Sequence, residues 1–158
     1  MALSLITDRT EADVGRVRYL LSRYATGTIT ADEITEFATN LKGSYNYTDL
    51  NRVTAAMYLL ASDLRGIAGS DVTVSAKNDW VETDIPRASE MQLYLDDVRR
   101  LRVAIGYTVG MPTVPDTMLG FGWMEANDLE KILLMIEDLL ERIQLSWRYA
   151  GEIFAGEV

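Results

Sequence analysis

Apolar residues recur along this chain at alternating spacings of three and four, which is the period of a helix with one buried face. Five segments carry it. The first runs from Thr10 to Tyr24, with Val14, Val17, Leu21 and Tyr24 on a shared face and Thr10 and Asp13 as its cap. A second, shorter one runs from Thr30 to Leu41: Thr30 and Glu33 form a capping box, and Gly43 is placed as its C-terminal stop. The third spans Thr48 to Arg65 on the stripe Leu50, Val53, Met57, Leu60 and Leu64. A fourth follows Pro86 and carries Met91, Leu95, Val98, Leu101 and Ile105 as far as Gly106. The fifth and longest, Glu125 to Trp147, aligns Leu129, Ile132, Leu133, Ile136, Leu140, Ile143 and Trp147, with Leu134, Met135 and Leu139 widening the apolar arc. That widening predicts a second packing partner for this helix.

Two stretches break the helical period. Asp71 to Val81 alternates partially at Val72 and Val74, which predicts a short extended segment. Gly106 to Trp123 holds Gly106, Gly110, Pro112, Pro115, Gly120 and Gly122, a loop longer than ordinary connections and therefore expected to contact something. With no repeat, linker or low-complexity tract, residues 1–158 read as a single domain. The expected fold is mainly α: a small bundle of about five helices, one short extended segment and a long Gly/Pro loop.

Composition then narrows the chemistry. The 158 residues include no histidine and no cysteine. The usual general base near neutral pH, the commonest metal ligand and all thiolate chemistry are therefore missing. The formal charge is -9, with eight acidic residues from Glu125 to Val158 against Lys131, Arg142 and Arg148. Nucleic-acid binding draws on clustered Lys and Arg, so no nucleic-acid partner is expected. Arg99, Arg100 and Arg102 are read as complementing the end of the fourth helix. Met1 to Ile6 lacks the basic region of a secretion signal, and Ile132 to Ile136 is far short of the roughly 20 apolar residues of a bilayer span. The expectation is a chain folded in the cytoplasm without a membrane span.

Enzyme signatures are equally sparse. Gly120-Phe121-Gly122 lacks both the third glycine and the preceding strand of a nucleotide loop, and neither Glu-x-x-His pairs nor a calcium loop is present. No cofactor or metal is expected. Glycoside hydrolysis needs only two carboxylates; Glu82 and Asp84 beside Trp80 are the best pair, and the competing reading has Asp84 capping the helix after Pro86 while Trp80 packs on the bundle. The favoured expectation is a protein that is not an enzyme.

The segment from Lys42 to Val53, KGSYNYTDLNRV, stands apart. Tyr45 and Tyr47 flank Asn46 in a tight connection, and Asn51 and Arg52 lie in the next helical turn. Such tyrosines lock a corner between helices or, alternatively, meet a protein or glycan surface. Tyr45, Asn46, Tyr47, Asn51, Arg52 and Trp80 are the candidate interaction residues.

This segment also carries a resemblance, together with Thr7-Asp8-Arg9-Thr10, Asp13-Val14, Asp79-Trp80, Asp84-Ile85-Pro86, Met91, Tyr94-Leu95, Pro112 to Pro115, Ala126 to Leu133, Tyr149 to Glu152 and Gly156-Glu157. In this order they resemble a domain recurrent in minor structural and tail-associated proteins of phages and prophages of Gram-positive bacteria. The resemblance implies a virion protein assembled in the host cytoplasm, in the tail, baseplate, fibre or neck. Its implied partners are other virion proteins and further copies of itself. A glycan-binding module for host attachment, stacking sugar on Trp80, Tyr45 and Tyr47, is the alternative.

Overall fold

The computed structural model describes residues 3–39 and 41–155, leaving aside the side chains of 149 and 151–155. Five helices account for 61% of the chain, and no strand occurs among the described residues. They are α1 (Glu11–Ala25), α2 (Ala31–Phe37), α3 (Tyr47–Ala68), α4 (Ala88–Ile105) and α5 (Trp123–Ala155). This is the mainly α fold the periodicity predicts.

α3, α4 and α5 pack pairwise, and their stripes meet in one core. Val53, Met57 and Leu64 from α3, Leu95, Val98 and Leu101 from α4, and Leu129, Ile132, Leu133 and Ile136 from α5 are all fully buried. The connections show how the three helices are aligned. Residues 71–81 run back along α3, from the Arg65–Asp71 ion pair through the Tyr58 hydroxyl on the Ala76 carbonyl to Asn51 on Trp80. Residues 106–122 return similarly, touching α4 where Arg99 meets the Pro115 carbonyl and reaching Tyr45 through Phe121. α3 and α4 are thus each followed by a strap that carries the chain back to the starting end, so α3, α4 and α5 lie parallel. Parallel neighbours require long connections, and this accounts for the length of the Gly/Pro loop.

The N-terminal segment is a third strap, laid antiparallel on α5. Leu3 N–H donates to the Glu137 carboxylate, Ile6 N–H to Glu130 at 2.5 Å, and Arg9 exchanges two backbone hydrogen bonds with the Asn127 amide. Among the described residues, no helix is long and apolar enough to cross a membrane.

Several local expectations need correction. The α1 stripe is misplaced: Leu20 is the buried residue, whereas Leu21 and Tyr24 are exposed, because α1 packs chiefly on α2. α2 ends at Phe37 rather than Leu41, and Gly43 is not its stop. A Cβ on Gly43 would lie 2.1 Å from the Asp13 carbonyl oxygen, so this glycine is the place where the chain presses onto α1. α3 begins at Tyr47 with Asn46 as cap, and it closes three residues beyond Arg65 on Gly69 in the left-handed conformation (φ 64°). Residues 71–81 bury Val72, Ala76 and Trp80, every fourth residue, without forming a strand. The fifth helix continues well past Trp147.

Candidate interaction surface

At the starting end of the bundle the first turn of α3, the N-terminal strap and α5 enclose charge. Arg9, Asp49 and Glu130 are all at least 98% buried. One Arg9 amine lies 3.0 Å from Asp49 and 2.7 Å from Glu130; one Arg52 amine lies 2.7 Å from Asp49 and 2.9 Å from Glu130. Two guanidinium groups therefore neutralise two carboxylates, the condition under which buried charge is tolerated. Burial acts against the Arg52 charge, yet Glu130 and Asp49 outweigh it and raise its pKa above the ordinary arginine value. Arg9 also stacks over the Tyr45 ring at 5.3 Å.

The Tyr45–Asn46–Tyr47 corner closes this cluster. Tyr45 hydrogen-bonds the buried Tyr94 hydroxyl of α4, and its ring meets Phe121 edge-on at 5.3 Å. Burial pushes both phenols well above the usual tyrosine range. Asn46 caps α3: its side-chain oxygen accepts from Thr48 N–H at 2.9 Å, and Asp49 returns to the Asn46 N–H. Asn51 clamps the strap of residues 71–81 by accepting from Trp80 N–H and donating to its carbonyl, both at 2.8 Å.

Five of the six candidates, Tyr45, Asn46, Asn51, Arg52 and Trp80, thus hold the molecule together. Trp80 is 4% exposed, with Lys77 against its ring at 4.6 Å, and presents no open face for stacking. Tyr47 alone among them turns substantially outward, at 37% exposure. It contributes to a shallow groove of about 360 Å³ with Tyr45, Leu50, Glu82, Asp84 and Pro86. Asp84 does not cap α4, which starts after Arg87 with Glu90 reaching back to the Arg87 N–H. Instead it accepts from Lys77 at 2.6 Å and from Val81 N–H. The Lys77 contact lowers the Asp84 pKa, opposite to what a catalytic acid requires.

Periodicity missed the buried charges, although a signal was available. Asp49 lies four residues before Val53, Asp97 four before Leu101 and Glu130 three before Leu133, so each stands on an apolar stripe. Asp97 is fully buried and receives the N–H groups of Ser75 and Ala76 at 2.8 and 2.7 Å, anchoring the strap of residues 71–81. A carboxylate at a core-facing position predicts such a clasp.

One group of exposed apolar side chains lies away from this groove. On the α1–α2 hairpin, Tyr24 stacks on Phe37 at 6.0 Å, and Leu21 and Ile34 extend the patch. Beside it Tyr19 lies between Arg16 and Arg23, whose guanidinium carbons are 5.1 and 5.6 Å from its ring centre. Among the described residues no group of three or more acidic side chains is placed to hold a metal ion. Comparison with known proteins gives no significant match to a protein family, a curated protein or a solved structure.

Proposed function

We propose that this chain is a virion structural component of a bacteriophage that works by protein–protein assembly. The virion setting rests on the ordered series of segments from Thr7 to Glu157 that resembles tail-associated phage proteins. The observation that supports assembly is the patch formed by Leu21, Tyr24, Ile34 and Phe37 on the α1–α2 hairpin, with Tyr19, Arg16 and Arg23 alongside. Tyrosine and arginine beside exposed aliphatic groups is the composition of interface anchors, and contiguous apolar patches on a surface mark contact sites. Little in the core depends on these side chains, so they are free to serve a partner.

The test is incorporation. Tyr24→Ser with Ile34→Ser should leave the helical content and melting temperature of the purified protein near wild type, yet reduce its amount in purified phage particles at least tenfold. Normal incorporation of a folded double variant would refute the hairpin as the contact.

A glycan-binding role in host attachment draws on the groove beside Tyr47 and Glu82. The covered ring of Trp80 removes the strongest stacking platform from that reading. Titration with cell-wall saccharides, followed through the Tyr47 ring signals, decides it: saturable shifts support a glycan site, and unchanged signals dismiss it.

A further inference from the structure

α5 is far longer than the bundle it serves. Its last fully covered residue is Leu140, and the helix continues to Ala155, roughly 22 Å at the rise of an α-helix. The apolar stripe continues with it. Leu129, Leu133, Ile136 and Leu140 are buried in the core, and the same alternation of four and three places Ile143, Trp147 and Ala150 on the protruding part. Ile143 is partly covered, while Trp147 is 59% exposed. A stripe of period 3.5 that runs on from the core to an exposed Trp147 has the form of a coiled-coil seam.

We propose that this overhang pairs with the overhang of a second copy of the same chain. The proposal rests on the assembly reading and names one of its partners. Charge favours a second copy as the occupant. The whole chain carries -9, so two copies repel each other over most of their surface. From residue 141 to 155, however, Glu141 and Glu152 are balanced by Arg142 and Arg148. The positions flanking the seam between Ile143 and Trp147 are Gln144 and Ser146, neither of them charged, so the pairing meets no like-charge opposition at its edges there. Asp138 and Arg142 pair with each other at 2.8 Å on the helix surface.

Size sets the strength of the contact. A seam of three residues per helix, Ile143, Trp147 and Ala150, buries well under the roughly 800 Å² per partner of a standard interface. Association through it is therefore reversible, and in a particle it gains from the other contacts that hold neighbouring copies together.

Light scattering and sedimentation of the full chain over a dilution series, from about 1 mM to about 1 μM, the range expected for so small an interface, test this directly. The expected result is a mass that falls from dimer to monomer within that range. Trp147→Ser should shift the midpoint at least tenfold towards higher concentration without altering the melting temperature of the core, and Trp147→Leu should largely retain association. Tyr24→Ser, on the hairpin, should leave the midpoint unchanged. A monomer at every concentration, or association that responds to Tyr24 and not to Trp147, overturns the overhang pairing; incorporation of the hairpin variants into particles is a separate readout and judges the assembly reading independently.

Discussion

The molecule contains two helical regions built on opposite terms. In α3, α4 and α5 each helix gives an apolar stripe to a shared core, with full burial of Met57, Leu95 and Ile132 among others. The α1–α2 hairpin buries one residue on α1, Leu20, and none on α2. It is held by surface chemistry: Arg16 on Glu36 through two bonds of 2.8 and 2.6 Å, Arg23 on Glu33 at 2.8 Å, and two capping boxes. Exposed ion pairs contribute about 0–1 kcal/mol each, whereas one fully buried leucine contributes about 1.5–3 kcal/mol. The core is therefore a cooperative unit and the hairpin a lightly held attachment. Its connection is the junction where Gly43 presses on Asp13, Lys42 reaches Asp8 at 2.7 Å and Trp123 donates to Glu11 at 3.0 Å.

Core substitutions should have the largest effect. Leu133→Ala should cost about 3–5 kcal/mol through lost transfer energy and a residual cavity, lowering the melting temperature of the whole chain in calorimetry. Glu130→Gln should cost about 3 kcal/mol, because it removes a carboxylate on which both buried arginines depend. Gly43→Ala strikes the junction itself. The added methyl must displace the α1 backbone, so a loss of about 1–3 kcal/mol is expected, expressed as loss of α1–α2 amide protection while core protection persists. Thr30→Ala should cost about 1 kcal/mol, confined to α2.

pH separates the two regions in opposite directions. Asp13 lies below its ordinary 3.8 through bonding to Thr10, Glu33 below 4.5 through the Thr30 N–H, and Glu36 below 4.5 through Arg16. A carboxylate with a lowered folded pKa stabilises above its unfolded value and loses that contribution as pH falls through the folded one. The hairpin should therefore loosen first on acidification below about pH 4, in the range where these carboxylates take up protons. Tyr45 and Tyr94 behave inversely: burial raises both above 10.0, so their contribution is complete below pH 10 and declines as pH rises further. Core unfolding above pH 10 should accordingly be delayed in Tyr94→Phe relative to wild type, when followed by near-ultraviolet dichroism.

The core was legible because periodicity records a helix face that other helices cover. The stripes from Leu50 to Leu64 and from Met91 to Leu101 are buried as predicted, and Leu129 to Leu140 lies in the same core. On α1 the same kind of pattern marks a face left open, so the choice of Leu21 over Leu20 failed. Spacing alone does not say whether a cover exists. The lock was one of two readings of the tyrosine corner and is realised in Tyr45 on Tyr94, but the capping of α3 by Asn46 in place of Thr48 was not legible, and the pairing of Asn51 with Trp80 required the course of the strap across 29 residues. Parallel alignment of the core helices was hidden for a related reason: loop length announced a long connection, not its direction. The segments holding Arg9, Gly43, Tyr45, Asp49, Arg52, Asn127 and Glu130 meet at one junction. Their shared physical task is to fasten straps and hairpin to the core.

Native-state hydrogen exchange, resolved by residue at neutral pH in low denaturant, tests that division most directly. Amides of α1 and α2 are expected to exchange together through an opening of low free energy, while those of α3, α4 and the first half of α5 exchange only through global unfolding. Equal opening free energies for hairpin and core would contradict it, and would mean that the junction binds the two into one cooperative unit.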